Sequence, residues 1–156
     1  MSRAEQFAPL GAETAERWSK FGNWDRPYYP NVVGIVVEEV RTDYCRMRLP
    51  YRPELEQPAG VVHGGAIASL VDSVVVPAIG MAYSGDARFS TVDMHVQYLS
   101  ALIRDDAIAE GWVVRRGRTI VFCEAEVVGA TSGKTIARGL LTYHVSLAPA
   151  APPTFG

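Results

Sequence analysis

Across residues 66–83 the sequence is apolar at nearly every position, so a helix there has no polar side to offer water and belongs in a core. Asp72 is the one charge in that run. Strand-like patterns surround it. Residues 32–41 and 44–49 are β-rich and separated by Thr42-Asp43, a break of two-residue hairpin length. Residues 92–98 alternate apolar and polar side chains, the period of a half-buried strand, and follow a turn at Ser84-Gly85-Asp86. Two further runs, 107–114 and 119–128, are joined across Arg115-Arg116-Gly117-Arg118, and 135–147 closes the series after the turn at 129–134. Near the start, Ala15, Trp18 and Phe21 recur at helical spacing, predicting a short amphipathic helix within 12–24 that Arg26-Pro27-Tyr28-Tyr29-Pro30 ends. Pro50, Pro53 and Pro58 mark an irregular loop, and Pro77 removes a donor inside the long helix and should bend it.

This order of elements predicts an α+β domain in which a long antiparallel sheet curls around one buried helix. The expected division is a helical extension over 1–30, the sheet-and-helix domain over 31–147, and a disordered Pro/Ala-rich tail over 148–156.

Composition narrows the classes. A chain of 156 residues supports one domain with a substantial core. A formal net charge of −2 and a pI near 5.9 argue against nucleic acid or an anionic membrane as partner. The apolar run is marginal in length for a membrane span and is interrupted by Ser69, Asp72, Ser73 and Pro77. Cys45 and Cys123 lack metal-ligand spacing and read as reduced thiols, and no leader pattern opens the chain, so a cytoplasmic location is expected. His95 and His144 have no partner at metal-ligand spacing, and no metal is expected.

The chemistry concentrates where the long helix begins. Gly64 and Gly65 let a ligand approach bare backbone, and the first helical turn leaves N–H groups pointing outward at the positive end of the helix dipole. Such an end stabilises a developing oxyanion. Asp72 lies eight residues on, about 12 Å along the axis, too far to act at its own helix start. Two antiparallel helices in a two-fold dimer would bring Asp72 of one protomer to Gly64 of the other. A homodimer, pairing further into a dimer of dimers, is the expected assembly.

The pattern His63-Gly64-Gly65-Ala66 with Leu70-Val71-Asp72, then Ser90-Thr91-Val92-Asp93-Met94 and Gly117-Arg118-Thr119, resembles the hotdog fold, and within it the phenylacetate-pathway (PaaI-like) acyl-CoA thioesterases. The resemblance implies hydrolysis of an acyl-CoA ester to a carboxylic acid and CoA, with no cofactor beyond the CoA of the substrate. It places the carbonyl on the Gly64 amide and makes Asp72 the nucleophile or general base. Gln57 stands where the family commonly has an asparagine that holds the carbonyl or water, and Thr91 where a small hydroxyl orients the water.

The remaining candidates carry two readings each. His63 either fixes the nearby backbone or takes a direct part. Arg115, Arg116 and Arg118 either bind CoA phosphates or form a solvated turn. Tyr83, Tyr98 and the leading aromatics frame an acyl pocket beside Gly65, or the leading segment simply caps the core. Two rival functions remain: a non-catalytic acyl-CoA-binding module, and an enoyl-CoA hydratase, for which Glu54 and Glu56 are the nearest acids to His63.

Overall fold

The computed structural model describes residues 3–84 and 87–147; Gly85, Asp86 and the tail expected over 148–156 lie outside the described residues. Six strands form one antiparallel sheet: β1 (Val36–Arg41), β2 (Tyr44–Leu49), β5 (Ala87–Tyr98), β6 (Ala107–Arg116), β7 (Ile120–Gly129) and β8 (Thr135–Leu147). Their order across the sheet is β1-β2-β6-β7-β8-β5. Alternation explains the buried face: Val121, Cys123, Ala125 and Val127 of β7 point inward, as do Ala137, Gly139, Leu141, Tyr143 and Val145 of β8. The strand expected over 92–98 begins earlier, at Ala87, because Ala87 to Thr91 find partners along the C-terminal end of β8, from Leu147 back to Tyr143.

The long helix, α3 (Gly64–Gly80), crosses the concave side of the sheet. A row of small residues receives it. Gly111, Ala125 and Gly139 stand in register on β6, β7 and β8. A Cβ at Gly111 would lie 2.7 Å from Val74 Cγ1, and one at Gly139 2.6 Å from Val71 Cγ1. Both glycines therefore exist so that the helix can sit directly on sheet backbone. Ile67, Leu70, Val71, Val74, Val75 and Ala78 fill the core from the helix side. Burial is not complete all round, which corrects the sequence expectation. Gly65 is exposed, and Ser69, Asp72, Ser73 and Val76 continue from it as a half-exposed stripe, because the curl of the sheet encloses only part of the helix.

Two elements differ from expectation near the start. Residues 32 and 33 do not open a strand: they end a short helix, α2 (Tyr29–Val33), which Asn31 holds by accepting from the Tyr28 amide and donating to the Gly22 carbonyl. Gly34, at φ +92°, then turns the chain into β1. The Pro-marked loop contains a one-turn 3-10 helix (Pro53–Leu55) and a two-residue ladder, β3 (Glu56–Gln57) with β4 (Val61–Val62). The leading amphipathic helix, α1, covers Ala12–Ser19. Among the described residues no helix is long and apolar enough to cross a membrane.

Candidate active site

At the start of α3 the chain leaves one amide unspent. His63 is the N-cap, with extended backbone (φ −62°, ψ 135°), and its Nδ1 accepts from the Gly65 N–H at 2.8 Å. The His63 carbonyl takes the Ala66 and Ile67 amides. Among the described residues nothing accepts from the Gly64 N–H. Tyr98 lies over this turn: its hydroxyl donates to the Gly64 carbonyl at 2.8 Å, and its ring comes within 3.3 Å of where a Gly64 side chain would begin. Gln57, Gly64 and Tyr98 line one cleft of about 390 Å³. The Gln57 Oε1 accepts from the Ala59 amide, leaving its NH2 group for that cleft.

Asp72, two turns down, is half-exposed and fixed by two hydroxyls. Thr91 donates to Oδ1 at 2.9 Å. The single proton of Tyr143 lies between that same Oδ1, at 2.5 Å, and the Asp72 backbone carbonyl, at 2.9 Å. Among the described residues Oδ2 takes no donor. Burial, followed by the hydrogen bond to Asp72, pushes the Tyr143 hydroxyl well above its ordinary range, so it remains a donor. A bulge in β5 between Thr91 and Asp93 sets Thr91 directly across from Tyr143, which is how two strands present both hydroxyls to one oxygen. Tyr143 was invisible to sequence reasoning because it lies 71 residues from Asp72. Its inward register on β8 was the available signal.

Other candidates are placed apart. Tyr98 and Tyr83 do not frame one pocket: the first sits at the start of α3, the second beyond its end, about 25 Å of helix away. Tyr83 packs near Phe89 and under the Arg116 guanidinium. Arg116 itself is withdrawn from the basic cluster, since a bulge between Val113 and Arg115 turns it inward. It donates to Asp43 at 2.5 Å and to the Ile79 carbonyl at 3.0 Å, satisfying the C-terminal end of α3. Arg115 and Arg118 remain exposed at the hairpin. Glu56 accepts from the Tyr51 hydroxyl at 2.7 Å rather than pairing with His63, so the acid that a hydratase needs beside that histidine is engaged elsewhere. Cys45 and Cys123 are free and buried, and burial pushes the Cys123 thiol up to about 12, which leaves it unreactive.

One helix laid across a curled antiparallel sheet, with a free amide at the helix start and an acid halfway along it, defines a hotdog-fold protein of the hydrolase kind. Comparison with known proteins makes this specific. The sequence profile of the thioesterase superfamily matches residues 59–136, and the chain belongs to that superfamily, a family of thioester hydrolases. Human acyl-coenzyme A thioesterase 13 is 31% identical over 102 residues, 65% of this chain and 71% of that one. The mouse protein of that name is 34% identical over 87 residues, so the match spans 61% of its length and 55% of this chain. The zebrafish thioesterase superfamily member 2 structure superposes with a TM-score of 0.73 at 27% identity, covering 88% of this chain and 99% of that one. The E. coli PaaI structure shares the fold, with a TM-score of 0.74 at 16% identity over 85% of this chain and 94% of its own.

Proposed function

We propose that the protein is an acyl-CoA thioesterase whose site is completed by two protomers. The thioester oxygen rests on the Gly64 N–H of one protomer, and Asp72 Oδ2 of its partner takes the proton of an attacking water or attacks the carbonyl itself. Collapse of the tetrahedral state expels CoA as thiolate, which picks up a proton; attack by water leaves the carboxylic acid at once, whereas attack by Asp72 leaves a mixed anhydride that a water then opens to the acid and free Asp72. No cofactor is needed. The observation that carries this reading is the pairing of an unspent amide and a half-satisfied carboxylate on one helix, eight residues apart, on the side the sheet leaves open.

The same side supports a partner. β5 is a sheet edge twelve residues long, with Val92 60% exposed, and it runs beside the half-exposed stripe of α3. An uncovered edge of that length invites a second strand. Arg115 and Arg118 stand ready for the phosphates of CoA, and Gln57 for the carbonyl or water at the Gly64 cleft.

A mixed-subunit experiment tests the composite site. Gly64→Pro removes the N–H at the first helical position, where proline is favoured, and His63 already has the extended backbone that must precede proline. Homodimers of Gly64→Pro and of Asp72→Asn are each expected to lose activity. Mixed dimers carry one intact site and should recover from about a quarter to a half of wild-type thiol release. No recovery on mixing means that each site is built within one protomer.

Tyr143→Phe keeps the ring and removes the proton held by Asp72. A hydrogen bond to a charged group is worth about 1.5–3 kcal/mol, so kcat should fall roughly ten- to hundredfold. KM should stay within about twofold, because Tyr143 steers the acid and does not touch substrate. Stopped assays with a thiol reagent separate the two constants; a rise in KM alone would assign Tyr143 to binding.

A further inference from the structure

We propose that the aromatic cleft at the far end of α3 seats the tail of the acyl group, and that Trp18 sets the tail length accepted. This rests on the reading of Asp72 as the acid at the thioester. Asp72, Val76 and Gly80 follow one another at four-residue steps along α3, and Val76 is half-exposed between them. On β5, Thr91 bonds Asp72, and Phe89, two residues earlier, points to the same face. On the proposed path the tail runs between helix and strand, from the acid to a cleft of about 390 Å³. That cleft is lined by Trp18, Phe21, Trp24, Tyr83 and Phe89.

Trp18 closes the far end of that path. A Cβ on Gly80 would lie 2.2 Å from Trp18 Cζ2, so the indole rests on bare backbone at the last residue of α3. Arg17 donates to the Tyr83 carbonyl at 2.8 Å and pins α1 over this end. Trp18 Nε1 is buried with no acceptor among the described residues, so ring packing and the Arg17 guanidinium over it, and not a hydrogen bond, hold the indole. Arg17, Lys20 and Asn23 also border the cleft, but all three are exposed, and the five aromatic rings give it the apolar floor that suits an aliphatic tail. From Asp72 to Gly80 is about 12 Å along the helix. An extended chain gains about 1.25 Å per carbon from bonds near 1.5 Å, so about ten carbons reach the indole. The substrate class is therefore a medium-chain acyl thioester. A short or small aryl group would leave the cleft empty.

The test uses Trp112→Phe protein, in which Trp18 and Trp24 are the remaining tryptophans. It is titrated with non-hydrolysable S-alkyl-CoA thioethers of two to sixteen carbons, while thiol release is followed on matching esters. Affinity should rise about three- to fourfold per carbon, level off near ten, and change tryptophan emission only for tails that reach the cleft. Trp18→Ala should move the best ester two or more carbons longer. A flat length profile, an optimum on small aryl esters, or no emission change at any length overturns the proposed seat while thiol release still stands. A length-dependent emission change without thiol release from any ester keeps the seat and removes the hydrolase reading. Should Trp18→Ala not fold, the Trp112→Phe titration decides alone.

Discussion

Asp72→Asn is expected to lower kcat for acyl-CoA hydrolysis by about a thousandfold or more, since the proposed base or nucleophile is lost outright. The fold should survive. The amide oxygen of asparagine can occupy the Oδ1 position and still accept from Thr91 and Tyr143, which puts the NH2 group where Oδ2 stood. That nitrogen can neither take a proton nor attack a carbonyl. Thermal unfolding within a few degrees of wild type, together with lost thiol release, is the expected pair of results. Turnover within tenfold of wild type would remove Asp72 from the reaction, whatever its neighbours do.

The second large effect concerns packing. Gly139→Val places three carbons where one already meets Val71 Cγ1 at 2.6 Å, and Val71 is a β-branched residue held in the core. Overpacking of this kind costs about 3 kcal/mol or more, a drop in Tm of roughly 6–12 °C for a chain this size. Activity should fall as well, because Val71 precedes Asp72 and a displaced helix carries the acid with it. The double variant Gly139→Val/Val71→Ala should recover a large part of the loss, a coupling that calorimetry on the four proteins of the cycle can read. Strict additivity would show that the close approach of helix and sheet is not the cause.

These two residues mark what sequence could and could not reveal. The long apolar run with one acid, the glycines at its start and the alternation in β5 to β8 were readable because each is a local pattern with a local cause. The division of labour at His63 was not, since only the cap geometry shows that its ring consumes the Gly65 amide and leaves that of Gly64. Tyr143 and the row through Gly111 and Gly139 depend on strand register, which no single stretch of sequence encodes. Arg116 shows the same limit from the other side. In the sequence it belongs with Arg115 and Arg118; one extra residue in β6 rotates it to the end of α3, where it ties the helix to Asp43 of the β1–β2 turn. The short helix α2 was hidden because its β-branched residues outweighed the Asn31 contacts that stop the strand.

The open border along β5 has a consequence in the cell that precedes any chemistry. If two protomers pair along β5 as proposed, a newly made chain still alone offers the outward-facing amides and carbonyls of a twelve-residue strand, with Val92 and Tyr98 uncovered beside them, to any extended segment nearby. On that proposal soluble yield should depend on how quickly copies find one another. A lysine placed at Val92 to guard monomers against clumping should, if the site is shared as proposed, also keep them from becoming competent.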